Sequence, residues 1–121
     1  MANLREEIRI LRARAAQGEG LESLLRGIAQ ALQNHPEECA NIHYSYRFQA
    51  SDTGVGIAFR LEGGSYAPLG DGEPATVTVT GTEENLMKLV RGELNPVKAL
   101  LLGRVKIQGN KEALMAFAAF L

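Results

Sequence analysis

His35, Cys39 and His43 recur at every fourth position, and they are the only imidazole and thiol groups in the 121-residue chain. On one continuous helix the three would share a face, and two imidazoles with a thiolate suit a metal such as zinc. The same residues offer a Cys–His nucleophile pair. That pair needs a third orienting group and a depressed thiol pKa. Pro36 interrupts the helix that either reading requires, and the pattern from Ile42 onward is that of a strand. A packed cysteine and surface histidines are the simpler expectation. The acidic residues add little. Glu6-Glu7, Glu37-Glu38 and Glu83-Glu84 are adjacent pairs, and adjacent residues do not face each other on a helix. Asp71 and Glu73 lie in a Gly/Pro-rich loop and read as solvated surface. Gly54-x-Gly56 stands at a strand start with no helix after it, so it is no dinucleotide loop. Gly63-Gly64 and Gly70-x-Gly72 read as turns, and no phosphate-loop Lys-Ser/Thr follows them. The expectation is a non-enzymatic protein with no metal and no cofactor.

The bulk properties narrow the class further. The length fits one domain and one core. Hydrophobic residues make up 45% and charged residues 22%, as in an average globular protein. A net charge of −1 leaves no bulk electrostatic case for nucleic acid. One cysteine excludes an intramolecular disulfide and suits a reducing compartment. No apolar run reaches the ~18–20 residues that span a bilayer. The first residues are charged where a signal peptide needs an apolar core, and Ala119-Phe120-Leu121 is not a peroxisomal Ser-Lys-Leu address. A cytoplasmic location is expected.

The elements follow from periodicity. Asn3 is placed to cap a helix whose Leu4, Ile8, Leu11 and Ala15 share a face. After Gly18 and Gly20, Leu21, Leu24, Leu25, Ile28 and Leu32 form a second stripe, which Asn34-His35-Pro36 stops. The period then becomes two. Ile42, Tyr44, Tyr46 and Phe48 alternate with polar residues, as do Val55, Ile57, Phe59 and Leu61. A short strand is expected over residues 65–69, and another over 75–80, with Ala75, Val77 and Val79 inward. Thr82 caps a helix with Leu86, Leu89 and Val90 inward. Asn95-Pro96 opens the next, which buries Val97, Leu100 and Leu101 and ends at Gly103. Residues 104–108 form a last strand, with Val105 and Ile107 inward. Asn110 caps a final helix carrying Leu114, Phe117, Ala118 and Leu121. The fold expected is α+β, a five-stranded, mostly antiparallel sheet with helices covering one face.

One charge asymmetry stands out. Over residues 86–111 the cations are Lys88, Arg91, Lys98, Arg104, Lys106 and Lys111, and Glu93 is the sole acid. Such a stretch reads either as a solvated face balancing the acids before it or as a basic rim that attracts anionic headgroups, phosphates or a membrane surface.

The run from Ala75 to Leu121 carries a resemblance. Its specific parts are Gly92-Glu93-Leu94-Asn95-Pro96, Ala99 three residues after the proline, Gly103, and the strand end Lys106-Ile107-Gln108-Gly109. This constellation closely resembles the sterol carrier protein 2 family, the SCP-2 sterol-binding domain. The resemblance spans roughly residues 21–121 and leaves residues 1–20 as an N-terminal helical extension, able to pack on the domain or to pair with a second chain in a dimer. It implies non-catalytic lipid binding or transfer. The ligand would be a fatty acid, a fatty acyl-CoA, a sterol or a similar lipid, held in an apolar cavity between sheet and helices. Phe59, Leu86, Leu89, Val90, Leu94, Val97, Leu100, Leu101, Met115 and Phe117 are the candidate lining. Lys88, Arg91 and Lys98 are the candidate headgroup or membrane rim, for a transient membrane contact. The alternative is an accessory module holding isoprenoid-type intermediates for a partner enzyme.

Overall fold

The computed structural model describes residues 3–118. Asn3 accepts a hydrogen bond from the Glu6 N–H and caps α1 (Leu4–Ala16), whose Leu4, Ile8, Leu11 and Ala15 are all buried. α2 (Leu21–Asn34) buries Leu21, Leu24, Leu25, Ile28 and Leu32 along the expected stripe. Both helices contribute to the same core as the sheet, so α1 packs on the domain. A 3₁₀ turn over Pro36–Cys39 leads into β1 (His43–Ala50), β2 (Gly56–Glu62), β3 (Ser65–Pro68) and β4 (Val77–Gly81). Then come α3 (Glu83–Val90), α4 (Pro96–Leu101), β5 (Val105–Gly109) and α5 (Lys111–Ala118). Ala119 and Leu121 lie outside the described residues.

The sheet order is β3-β2-β1-β4-β5. Three of the four pairings are antiparallel, and β1·β4 is parallel, with Tyr46 opposite Val77 and Phe48 opposite Val79. The sheet is therefore mixed, though mostly antiparallel. A parallel pair needs a crossover, and here β2, β3 and residues 69–76 together supply it. Arg47, on the polar face of β1, fastens that loop by donating to the carbonyls of Glu73 (2.9 Å) and Gly70 (2.7 Å). β4 begins two residues later than the alternation suggested. Ahead of Val77 the backbone ladder gives way to a side-chain exchange between Ser45 and Thr76. The Ser45 N–H donates to Thr76 Oγ1 (3.0 Å), and the Thr76 N–H donates to Ser45 Oγ (2.8 Å).

Tyr46, Phe48 and Phe59 share the covered face with Phe117 of α5. Ring centroids lie 5.2 Å apart for Tyr46–Phe117 and 5.4 Å for Tyr46–Phe59. The Tyr46 side chain is fully buried, and its hydroxyl donates to the Ala113 carbonyl at 2.7 Å. Burial pushes the Tyr46 pKa far up, so the phenol stays a neutral donor. This bond ties α5 to the central strand.

Caps and glycines set the ends of these elements. Thr82 accepts from the Asn85 N–H, and Asn95 from the Val97 and Lys98 N–H groups. Gly103 ends α4 with φ +68°, and Gly109 ends β5 with φ +102°. A Cβ on Gly109 would lie 2.3 Å from the Thr76 carbonyl oxygen, whereas one on Gly103 would meet nothing within 4 Å.

Two outcomes follow for stability. Gly109→Ala should cost about 2–3 kcal/mol and Gly103→Ala about 1 kcal/mol, since only the first adds a backbone clash to the left-handed strain. Tyr46→Phe should cost about 1–2 kcal/mol by removing a buried hydrogen bond. Urea unfolding checks both, with the midpoint moving and the slope unchanged.

Candidate functional site

A cavity lies between the aromatic face of the sheet and the helices. The strands contribute Phe48, Ile57, Phe59, Val79, Val105 and Ile107. α2 contributes Leu21, Leu25 and Ile28, α3 contributes Leu86, Leu89 and Val90, and α5 contributes Leu114 and Phe117. Every lining side chain is apolar, so water gains no partners inside. The cavity offers about 60 Å³ to the centres of water-sized spheres. On that measure one water needs roughly 10–15 Å³, so the space falls short of a long acyl chain unless the walls part. α3 has eight residues and α4 six. Helices that short depend on packing for their stability.

Of the ten candidate lining residues, the structure places Phe59, Leu86, Leu89, Val90 and Phe117 around this cavity. Leu94 and Leu100 are half-buried and off its wall, and Val97, Leu101 and Met115 face solvent. The expected burial of Val97 and Leu101 is corrected by Ala99, the fully buried residue of α4. Residues two apart on a helix are rotated by about 200°, so Val97 and Leu101 both point away from the face Ala99 occupies. Met115 stands in the same relation to Ala113 and Phe117, which are buried. The strand residues on the wall were legible as inward positions of a period-two stripe. Nothing in the sequence indicated that α2 faces the same cavity.

The basic rim divides. Lys88 lies 3.9 Å from Glu84 one turn back on α3, and Arg91 donates to Glu93 at 2.7 Å. Both have acidic neighbours, whereas Lys98 is exposed on α4.

The His–Cys constellation is dispersed. Cys39 is fully buried, and burial, with the Glu38 and Glu37 charges behind it, pushes its thiol pKa up. A nucleophile needs the opposite shift. His43 is exposed and meets Glu62 across the β1·β2 pair at 3.2 Å. His35 departs from the surface position expected for it. Its side chain is only 12% exposed and contacts Glu7 of α1 and Glu38, the latter at 3.1 Å. Glu38 also accepts from the Leu4 N–H at 2.8 Å. These contacts fasten α1 to the 3₁₀ turn. Among the described residues, the single group with ligand-type atoms mutually within 4.8 Å is His35, Glu37 and Glu38. Cys39 and His43 are not part of it. Also among the described residues, no helix is long and apolar enough to cross a membrane.

Known proteins share this fold. The chain is similar to the sec-alkylsulfatase Pisa1 from Pseudomonas sp., with a TM-score of 0.63 and 21% identity. That match covers 78% of this chain and only 16% of the sulfatase. It is similar to the palmitated SCP2L2 from Aedes aegypti, with a TM-score of 0.62 and 15% identity over 84% of this chain and 93% of that one. It is also similar to the sterol carrier protein domain 2 of Helicoverpa armigera, with a TM-score of 0.55 and 27% identity over 81% and 80% of the two chains. A search of curated proteins finds no match. The model of the SCP-2 sterol transfer family matches residues 22–121, from the start of α2 through the sheet and the closing helices, and the chain belongs to that family.

Proposed function

We propose that the protein binds one lipid with a long apolar chain in the cavity between sheet and helices and carries it without chemical change. A fatty acid, a fatty acyl-CoA or a sterol fits this description. The observation that carries the reading is the wholly apolar wall, drawn from both layers of the fold. The similarity to a palmitated relative supports an acyl ligand.

The driving force is burial. Each CH₂ removed from water contributes ~0.8 kcal/mol, so a long acyl chain gives on the order of 10 kcal/mol gross before ordering costs. That permits useful affinity with few polar contacts. Entry requires the walls to part, and the half-buried Leu89 and Val90 on short α3 are placed to yield. Ligand shape is then selected by volume rather than by hydrogen bonds. The same cavity would serve isoprenoid-type chains held for a partner enzyme.

Native mass spectrometry of protein purified from its host should show one co-purified lipid per chain. Its mass separates an acyl or sterol carrier from a holder of polyprenyl intermediates. Leu89→Glu places a carboxylate on the apolar wall and should weaken binding of a fluorescent fatty acid at least about tenfold. Circular dichroism would confirm that the fold is kept. A chain purified empty that also fails to bind the probe would sink the reading.

A further inference from the structure

We propose that α4 and the turn after it dock the protein onto an anionic lipid bilayer. The proposal rests on the lipid-carrier reading and adds the surface through which lipid is collected and released.

The first observation is exposure. Val97 is 43% exposed, Leu101 78% and Leu102 65%. These are three of the five large apolar side chains that stand exposed among the described residues, and they fall within six consecutive positions. Scattered exposed leucines need no explanation, but a cluster does. Nor is this helix simply turned the wrong way round. Ala99 supplies its buried contact, so the outward residues are surplus to folding.

The second observation is charge. Residues 94–111 include Lys98, Arg104, Lys106 and Lys111, and no Asp or Glu. All four side chains are exposed. Lys98 lies on α4 itself and Arg104 follows its end, whereas Lys106, between the cavity-lining Val105 and Ile107 of β5, projects from the opposite face of the sheet and is not part of this surface. The acids before this stretch, Glu84 and Glu93, are adjacent to Lys88 and Arg91, and the acid that follows it, Glu112, stands beside Lys111 at the start of α5. An apolar tip flanked by Lys98 and Arg104, which form no ion pair among the described residues, matches a bilayer of anionic lipid, where leucines enter the acyl boundary and cations meet headgroups. A protein partner would need acids placed at particular points, whereas a membrane needs only the sign of charge and an apolar layer.

The third observation is continuity. α4 joins Val90 to Val105, and both residues line the cavity. The segment that would enter the headgroup layer is therefore tethered at each end to the wall that must part for a lipid to pass.

The test is sedimentation of the full chain with vesicles of phosphatidylcholine alone and with added phosphatidylglycerol. We expect binding to the anionic vesicles that weakens at high salt and is at least about tenfold weaker to phosphatidylcholine alone. Leu101→Ser combined with Leu102→Ser changes only exposed side chains and should lower vesicle binding at least about tenfold. Lys98→Gln with Arg104→Gln should lower it by about fivefold per charge and flatten the salt dependence. Fluorescent fatty-acid binding without vesicles should be unchanged in both variants, while transfer between donor and acceptor vesicles slows. Wild-type protein that ignores anionic vesicles overturns the docking surface, as does a Leu101/Leu102 variant that binds them as well as wild type. A wild-type dimer that this variant dissociates, with no vesicle binding, overturns it in favour of self-association. Loss of fatty-acid binding in wild type with vesicle binding intact would instead overturn the carrier reading and leave the docking surface standing.

Discussion

Tyr46, Phe48 and Phe59 project from adjoining strands onto one side of the sheet, where Phe117 closes over them. Removing side chains of this size from water contributes roughly 1.5–3 kcal/mol each, and that burial obliges helices to cover the face. α2, α3 and α5 do so directly, and α1 extends the layer by packing on α2. The Tyr46 hydroxyl is buried beneath this cover, and the Ala113 carbonyl satisfies it. The opposite face stays polar, and its Arg47 secures the loop that makes the parallel β1·β4 seam possible.

The same requirement produces the cavity. Large rings on the sheet and branched side chains on three helices meet without filling the space between them. A well-packed core of this composition would be more stable. α3, eight residues long and ended by Gly92 with φ +78°, forms one wall of the gap. Short helices set between glycine breaks have little stability of their own. The cohesion of α3 is drawn from the core, to which Leu86 contributes its buried side chain. A lipid chain bound as proposed would exchange water for the same kind of contacts that a filled core would have made.

α4 also shows how little length it takes to present two faces. Six residues give Ala99 to the core and Val97 and Leu101 to solvent. Its charged neighbours belong to the turn and edge strand beside it. The segment's flanking residues Val90 and Val105 line the cavity, while Val97 and Leu101 face solvent.

Much of the architecture was determined by the sequence alone. Period-two alternation over Tyr44–Phe48 and Ile57–Leu61 marked the sheet face, because a strand places successive side chains on opposite sides. Asn3, Thr82 and Asn95 marked helix starts, because their side chains satisfy free N–H groups there. The Gly-x-Leu-Asn-Pro run with Gly103 and Gly109 carried the family resemblance. Other matters were left to the tertiary structure. A run of Val97-Lys98-Ala99-Leu100-Leu101 has apolar residues all round, so its pattern cannot say which side is buried. The α2 wall of the cavity, the burial of His35 against Glu7, and the parallel seam all join residues distant in the chain. Local periodicity records which face of an element avoids water; which other element covers that face, and how much space remains between them, is settled only when the layers pack.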